Sequence, residues 1–394
     1  MANHAKQSGK RPLRVFHVIT SLDMGGAEMM LYKLLAGPLA VECESRVASL
    51  LPHGDVSAMI SRLGVSVETL GMHNGMPDPR AVLRLARMIR GANPDVVQTW
   101  LYHADLMGLL AARMARRGAV VWNIRCANVL LEHYRRTTAW TRKACAAMSG
   151  LPAAVVANSY DGMRVHVAAG YAPKRFVVIP NAFDTERFTP NDIQRAAVRN
   201  ELGLAHNTPV VGMVARFDRM KGHRVFCQAA GILLRKRPEA RFLLIGEGVD
   251  ETNIQLLNWS RENDLGDSLL LMGRRAGMEK LYTAMDVATN ASHGEGFPNV
   301  VGEAMACGVP CVVTDVGDSA WVVGDTGIVV RPDEPAELAA GWERLLDLGA
   351  MERKALGRKA RDRIIEHFSI EGIQKRYHEL YREVSGFTPV RDNS

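Results

Sequence analysis

Paired cysteines are missing from this chain. Its six cysteines, Cys43, Cys126, Cys145, Cys227, Cys307 and Cys311, are scattered and form no Cys-x-x-Cys. No histidine cluster stands by to complete a metal site. A disulfide scaffold and a Cys/His zinc module are thereby excluded, and reduced thiols in a reducing compartment are expected. Long apolar runs are missing too. Residues 1–14 are polar and basic, and the apolar stretch 15–20 is too short for a signal peptide or a membrane span. No other segment is long enough to cross a bilayer, so the expectation is a cytoplasmic protein. There is no repeat of solenoid period and no low-complexity tract. Gly-x-Gly-x-x-Gly, with its downstream acidic ribose partner, is absent, so the ordinary dinucleotide fingerprint does not apply.

What the chain does have is ordinary apolar content over 394 residues, sufficient for two domains with full cores. Its net charge of +7 is unevenly placed. Residues 1–190 hold 23 Lys and Arg against 13 Asp and Glu; residues 191–394 hold 26 against 29. A basic first half points to an anionic membrane surface, an anionic acceptor or nucleic acid, with a solubilising surface as the plain alternative.

Short apolar runs alternate with helical patterns in both halves. In the first they fall at 15–20, 46–50, 96–99, 119–124, 154–157 and 177–179. In the second they fall at 210–214, 241–245, 269–272, 287–290, 311–314 and 327–330. Such runs between helices are the mark of parallel sheets covered on both faces, and two series in succession predict two Rossmann-like, doubly wound α/β domains. The join is expected within 184–208, a polar stretch with Pro190 and a turn at 205–209. The division is 1–188 for a first domain, 189–368 for a second, and 369–394 for a terminal helix crossing back to the first. Ligands of doubly wound sheets sit beyond the carboxyl ends of strands, so each motif is tested by whether it follows one.

Residues 292–308, Ser-His-Gly-Glu-Gly-Phe-Pro-Asn-Val-Val-Gly-Glu-Ala-Met-Ala-Cys-Gly, pass that test. Glu295 and Glu303 flank a glycine-rich turn leading into a helix. Pro298 suits its first position and Gly308 a left-handed end. Backbone N–H groups around residues 297–300 then open a helix N-terminus, a site for phosphate. A phosphate cradle between two acids suits a nucleotide sugar; a surface turn with two solvated glutamates is the plain alternative. Arg216 and Lys221 follow the run 210–214. A guanidinium fork and a point charge there suit a diphosphate, and would stabilise charge on a leaving nucleoside diphosphate without a metal. Gly25 and Gly26 follow the first run. They allow close backbone approach to a phosphate or sugar, or else serve a tight turn needing positive φ. Glu247, between Gly246 and Gly248, and Arg274, after Gly273, sit in turns whose backbone could touch a nucleotide. His103 follows the run 96–99 and is placed to hydrogen-bond a sugar hydroxyl or move a proton. Asp105 reads as a cap or first-turn residue. Asn181 reads as a hinge or turn residue.

Together these pieces resemble the retaining glycosyltransferases of family 4, with the GT-B fold, over residues 13–385. Gly-Gly-Ala-Glu at 25–28 looks like that family's first glycine loop. Val-Ile-Pro-Asn-Ala-Phe-Asp at 178–184 is similar to its inter-domain segment, Arg216 and Lys221 to its basic pair, and Glu295 with Glu303 to its paired glutamates. The resemblance implies a central cleft between facing domains. It gives Glu303 the donor ribose, Glu295 the sugar hydroxyls, and the backbone of Gly296, Phe297, Pro298, Asn299 and Val300 the sugar and phosphate. His103 aligns with an acceptor-side histidine near the donor sugar. It further implies transfer with retained anomeric configuration and no metal or other cofactor; an Asp-x-Asp is absent. The sequence departs from the family at Met29, where arginine is frequent, and at Trp321, where glutamate is frequent.

The resulting reading is a glycosyltransferase that moves a sugar from a nucleotide sugar, a UDP-sugar above all, to a glycan or lipid-linked acceptor in polysaccharide, lipopolysaccharide or glycoconjugate synthesis. The basic first half would meet the acceptor and the anionic inner face of the cytoplasmic membrane. The rivals are a UDP-sugar epimerase of the same fold and a non-catalytic sugar-nucleotide-binding protein. Nucleic acid is not expected as a partner, because the second half is acidic and no reading motif is present.

Overall fold

A computed structural model describes residues 11–73, 78–125 and 136–387; Cys126 falls outside them. They divide into two compact units. The described residues up to 158, with 162–180 and those from 370 on, form the first; 159–161 and 181–369 form the second.

The first unit holds seven parallel strands: β1 (Leu13–Ile19), β2 (Cys43–Ser49), β3 (Ser66–Thr69), β4 (Val96–Trp100), β5 (Ala119–Ile124), β6 (Ala154–Ala157) and β7 (Phe176–Val178). Their order is β3-β2-β1-β4-β5-β6-β7. The connections carry α1 (Gly26–Ala36), α2 (Asp55–Arg62), α3 (Pro79–Ala92), α4 (Tyr102–Ala115), α5 (Arg136–Met148) and α6 (Tyr160–Ala168). β4 and β6 are buried at every position, as strands covered on both faces must be. β3, Ser-Val-Glu-Thr, has no apolar run and escaped the sequence reading. It lies at the sheet edge, where half-exposed polar residues are tolerated.

The second unit begins with α7 (Asp192–Glu201). It continues through β8 (Val210–Val214), α8 (His223–Lys236), β9 (Arg241–Ile245), α9 (Ile254–Glu262), β10 (Leu269–Leu271), α10 (Met278–Ala284), β11 (Val287–Asn290), α11 (Asn299–Ala306), β12 (Cys311–Thr314), α12 (Ser319–Val323), β13 (Ile328–Val330), α13 (Pro335–Asp347) and α14 (Ala350–Phe368). All six strands are parallel, in the order β10-β9-β8-β11-β12-β13. α7 lies inside the polar stretch 184–208. Its polar residues are ligands rather than linker. Arg195 and Arg199 both reach Asp286, each at 2.8 Å. Arg199, almost wholly buried, also donates to the carbonyls of Ala205, His206, Thr208 and Ala284.

The last helix, α15 (Ile370–Ser385), packs in the first unit. Ile373, Tyr377, Leu380 and Tyr381 are buried. The Gln374 amide donates to the Leu34 carbonyl and accepts from the Leu39 N–H. The Asn123 amide donates to the Tyr377 hydroxyl at 2.9 Å. No described helix is long and apolar enough to cross a membrane.

Candidate active site

In both sheets the strand order reverses once, between β1 and β4 in the first and between β8 and β11 in the second. The carboxyl edge at such a reversal is where two loops diverge and leave a crevice.

In the second unit that crevice is a cleft lined by residues following β8 and β11 together with the start of α11. Arg216, Lys221, Glu295, Phe297, Pro298, Asn299 and Val300 all contribute. Lys221 Nζ lies 2.5 Å from Glu295 Oε1. Ser292 Oγ donates to the same oxygen at 2.7 Å, and Asn290 Nδ2 approaches it at 3.4 Å. The Arg216 fork is largely exposed and bonds Asp218 Oδ2 at 3.0 and 3.2 Å. Asp218 also accepts the Met220 N–H at 2.8 Å, and that bond, with Arg216 behind it, holds its carboxyl below the usual range. The loops after β8 and β11 touch at Gly222, whose φ is +69°; a Cβ there would lie 1.9 Å from the Ala291 carbonyl oxygen. Only glycine permits both the left-handed backbone and that approach, so Gly222 sets how near Lys221 comes to Glu295.

Helix α11 begins at Asn299 with Pro298 as its cap, one residue earlier than the first helical position expected of that proline. Gly308 takes the left-handed conformation expected past the helix end (φ +73°). The Phe297 side chain is core, packed among Phe183, Trp321 and Phe368, so this loop offers the cleft backbone rather than an aromatic face. Trp321 thus fills space beneath the loop. Asn299 accepts from the Asn181 amide at 2.7 Å, which places Asn181 behind the cleft wall.

Three more of the expected residues stand differently. Glu303 is half-buried on α11 and accepts the Tyr282 hydroxyl at 3.0 Å. Burial, and then this carboxylate, push the Tyr282 phenol well above its ordinary value. Glu247 and Arg274 have exposed side chains outside the lining. Their loops are nevertheless stitched to the Arg216 loop, with the Phe217 N–H donating to the Glu247 carbonyl at 2.7 Å and the Gly246 N–H to Gly273 at 2.9 Å. Among the described residues no group of three His, Cys, Asp or Glu is arranged to hold a metal ion. Sequence reasoning missed Ser292, Asn290 and Asp218. Each is a short polar residue within five positions of a charged one it orients, a weak signal that only the folded loops make specific.

The first unit brings Gly25, Gly26 and His103 to its own reversal point, after β1 and β4. Gly25 is extended (φ −161°), so no positive-φ turn is present there; a Cβ would instead meet Glu28 Oε2 at 2.4 Å. Gly26 faces open space. His103 is half-buried in the first turn of α4, and burial lowers its pKa, favouring the neutral imidazole. The residue before that helix, Leu101, has φ +73° and ψ 154°, a region natural only to glycine. Asp105, four residues on, donates its N–H to the Leu101 carbonyl at 2.9 Å. Fully buried, its Oδ1 accepts the Thr99 hydroxyl at 2.5 Å and lies 3.4 Å from the Asn123 N–H. Burial raises its pKa to about 8.

Residues 208–348 match the family model described as glycosyl transferases group 1, and residues 24–187 match glycosyltransferase family 4. Among curated relatives, the D-inositol 3-phosphate glycosyltransferase of Corynebacterium jeikeium is 31% identical over 52% of this chain and 51% of its own length. The UDP-Gal:alpha-D-GlcNAc-diphosphoundecaprenol alpha-1,3-galactosyltransferase of Escherichia coli is 23% identical over 77% and 79%. The chain spans about half the length of the inositol-phosphate enzymes it matches. Among solved structures, Anabaena HepE in complex with UDP superposes with a TM-score of 0.81 at 22% identity, over 94% of this chain and 100% of that one, a likeness of fold. With each half matched by its own model and the two parallel sheets shared with solved relatives, the chain belongs to the group 1, family 4 glycosyltransferases of GT-B fold.

Proposed function

We propose that the chain transfers a sugar from a nucleotide sugar, a UDP-sugar first among them, to a glycan or lipid-linked acceptor in the synthesis of a polysaccharide, lipopolysaccharide or other glycoconjugate. One observation carries this reading: a cation and a carboxylate, Lys221 and Glu295, meet at the second sheet's reversal point, beside Arg216 and the N-terminus of α11. The donor's diphosphate would draw Lys221 and Arg216 to its oxygens, and Glu295, so released, would accept bonds from sugar hydroxyls. As the glycosidic bond breaks, negative charge grows on the departing diphosphate, and fixed cations stabilise that state more than the ground state. Two cations perform the task often given to a metal, so the reading includes none, and transfer should persist in a chelator.

Glu303 as the ribose partner, His103 as an acceptor-side group and transfer with retained configuration also belong to this reading. The C. jeikeium relative is named for an inositol phosphate and the E. coli one for a diphosphate-linked lipid, which supports an acceptor with an anionic group. Contact of the basic first unit with an anionic membrane fits such an acceptor.

The test is a panel of nucleotide sugars screened by thermal shift, followed by product analysis with and without acceptor. A bound donor stabilises by mass action, about 2.7 kcal/mol at a hundredfold excess over its Kd. A UDP-sugar should stand out, and its sugar should appear on acceptor. Isomerised donor without acceptor would turn the assignment to an epimerase. Binding without turnover would make the chain a carrier of sugar nucleotides, and no binding of any nucleoside diphosphate would end the reading.

A further inference from the structure

Helices α3, α4 and α5 lie side by side, α4 touching both others, and the Arg90 guanidinium donates to the Met114 carbonyl at 2.8 Å to tie α3 to the end of α4. Their exposed positions share one character. α3 presents Arg80, Arg84, Arg87 and Arg90; α4 and the residues after it present Arg113, Arg116 and Arg117; α5 presents Lys143. The only carboxylate within the three helices is Asp105, and it is buried. Asp78, just before α3, is paired with Arg84. Large apolar side chains stand among these cations: Leu83, Leu110, Met114 and Trp140, the last 72% exposed, with Lys143 Nζ 5.6 Å from its ring.

We infer that this three-helix face docks on an anionic lipid bilayer. This names the face used in the membrane contact proposed above and rests on that part of the reading, not on the transfer chemistry. Among the described residues of the three helices the exposed charge is of one sign, and Asp78 beside them is taken up by Arg84, which suits a surface of lipid phosphates and opposes pairing with a second copy of the same face. Guanidinium groups fork onto phosphate oxygens. The apolar residues separate a bilayer from a nucleic acid, because tryptophan and aliphatic side chains between cations gain from entering the headgroup layer. The face is thus composed like the polar and apolar halves of an interfacial helix, spread over three helices.

The experiment sediments the full chain with vesicles of phosphatidylcholine containing about a third phosphatidylglycerol, a strongly anionic surface, against vesicles of phosphatidylcholine alone. The wild type should bind the anionic vesicles at low salt and lose most of that binding at about 0.5 M, where the screening length falls to a few ångströms. The triple variant Arg87→Glu, Arg113→Glu, Arg117→Glu should partition at least about tenfold more weakly, since each basic residue near the surface matters independently. It spares Arg84, which bonds Asp78 and the Leu70 carbonyl, and Arg90, which ties α3 to α4. Tryptophan emission should shift to the blue on vesicles, and Trp140→Phe should abolish the shift, because Trp100, Trp122 and Trp342 are already buried and the half-buried Trp259 and Trp321 belong to the second unit. Thermal stabilisation by UDP in the triple variant serves as the control. Lost vesicle binding with intact UDP binding supports the face. Vesicle binding without any UDP binding also leaves the face standing while the transfer reading falls. Equal partition of wild type and triple variant, equal binding to neutral vesicles, or capture by a DNA duplex in preference to vesicles would overturn the proposal.

Discussion

Glu295 Oε1 gathers Lys221 and Ser292, with Asn290 close behind, and these partners differ in kind. Lys221 is a mobile charge able to leave for a phosphate. Ser292 is buried and follows the end of a central strand, so it can only aim the carboxylate. Their removal should separate in kinetics. Lys221→Ala takes away a charge used as the diphosphate departs, and should lower kcat by two orders of magnitude or more, on the scale of about 10²–10³ for a lost transition-state donor. Ser292→Ala loses one hydrogen bond to a charged group, worth about 1.5–3 kcal/mol, and should cost roughly tenfold or somewhat more while binding of UDP alone stays near wild type. Steady-state rates and calorimetry on the two variants check this. Equal effects on UDP affinity would mean that Ser292 holds the fold of the loop rather than the direction of Glu295.

At the scale of the element, the turn from β4 into α4 is set by a buried acid. Asp105 has its pKa raised to about 8 in the folded chain against about 3.9 when unfolded. The folded state therefore binds the proton more tightly. Its contribution to stability is complete below pH 4 and is lost as pH rises through about 8, with a slope approaching about 1.4 kcal/mol per pH unit between. His17 acts in the opposite sense. Burial lowers its pKa to about 3, so its contribution is present above about 6.5 and is lost as pH falls. Asp105→Asn keeps the shape and removes the titration. Urea unfolding of wild type and variant across pH 5–8 should show the wild type losing ground to the variant as pH rises, and a constant difference would rule out a buried protonated acid. Because the same turn carries strained Leu101 and His103, the variant also tests whether the His103 position depends on that clamp.

At the scale of the whole molecule, the first unit is completed by the last helix of the chain. α15 buries Tyr377 against Trp100 and Asn123 of the first sheet, and Gln374 bonds the end of α1. Ending the chain after Ser369 should strip several large side chains of cover, a loss of about 1.5–3 kcal/mol for each fully buried one. Calorimetry should then show the melting of the first unit lowered or abolished, with UDP stabilisation of the second unit preserved. An unchanged first transition would mean that α15 only decorates this surface.

How much of this was legible beforehand follows from where the signal lives. Runs such as 210–214, 241–245 and 311–314 coincide with β8, β9 and β12, because strands buried on both faces must be apolar throughout. β3 was invisible, since an edge strand has no such requirement, and α7 read as a linker because its arginines point into a buried network that no local pattern announces. Glu295, Arg216 and Lys221 could be picked out because each follows an apolar run at a loop, and Glu303 because it belongs to the same stretch 292–308 as Glu295. The amino-acid order by itself determined the two alternating series, the places where loops leave strand ends, and the charges on those loops. Only tertiary structure decided that Lys221 meets Glu295, that Glu303 accepts the Tyr282 hydroxyl, and that Asp105 is sealed in the core. Those outcomes depend on contacts between residues far apart in the chain, and on burial, which sets whether a charge is solvated, paired or neutralised.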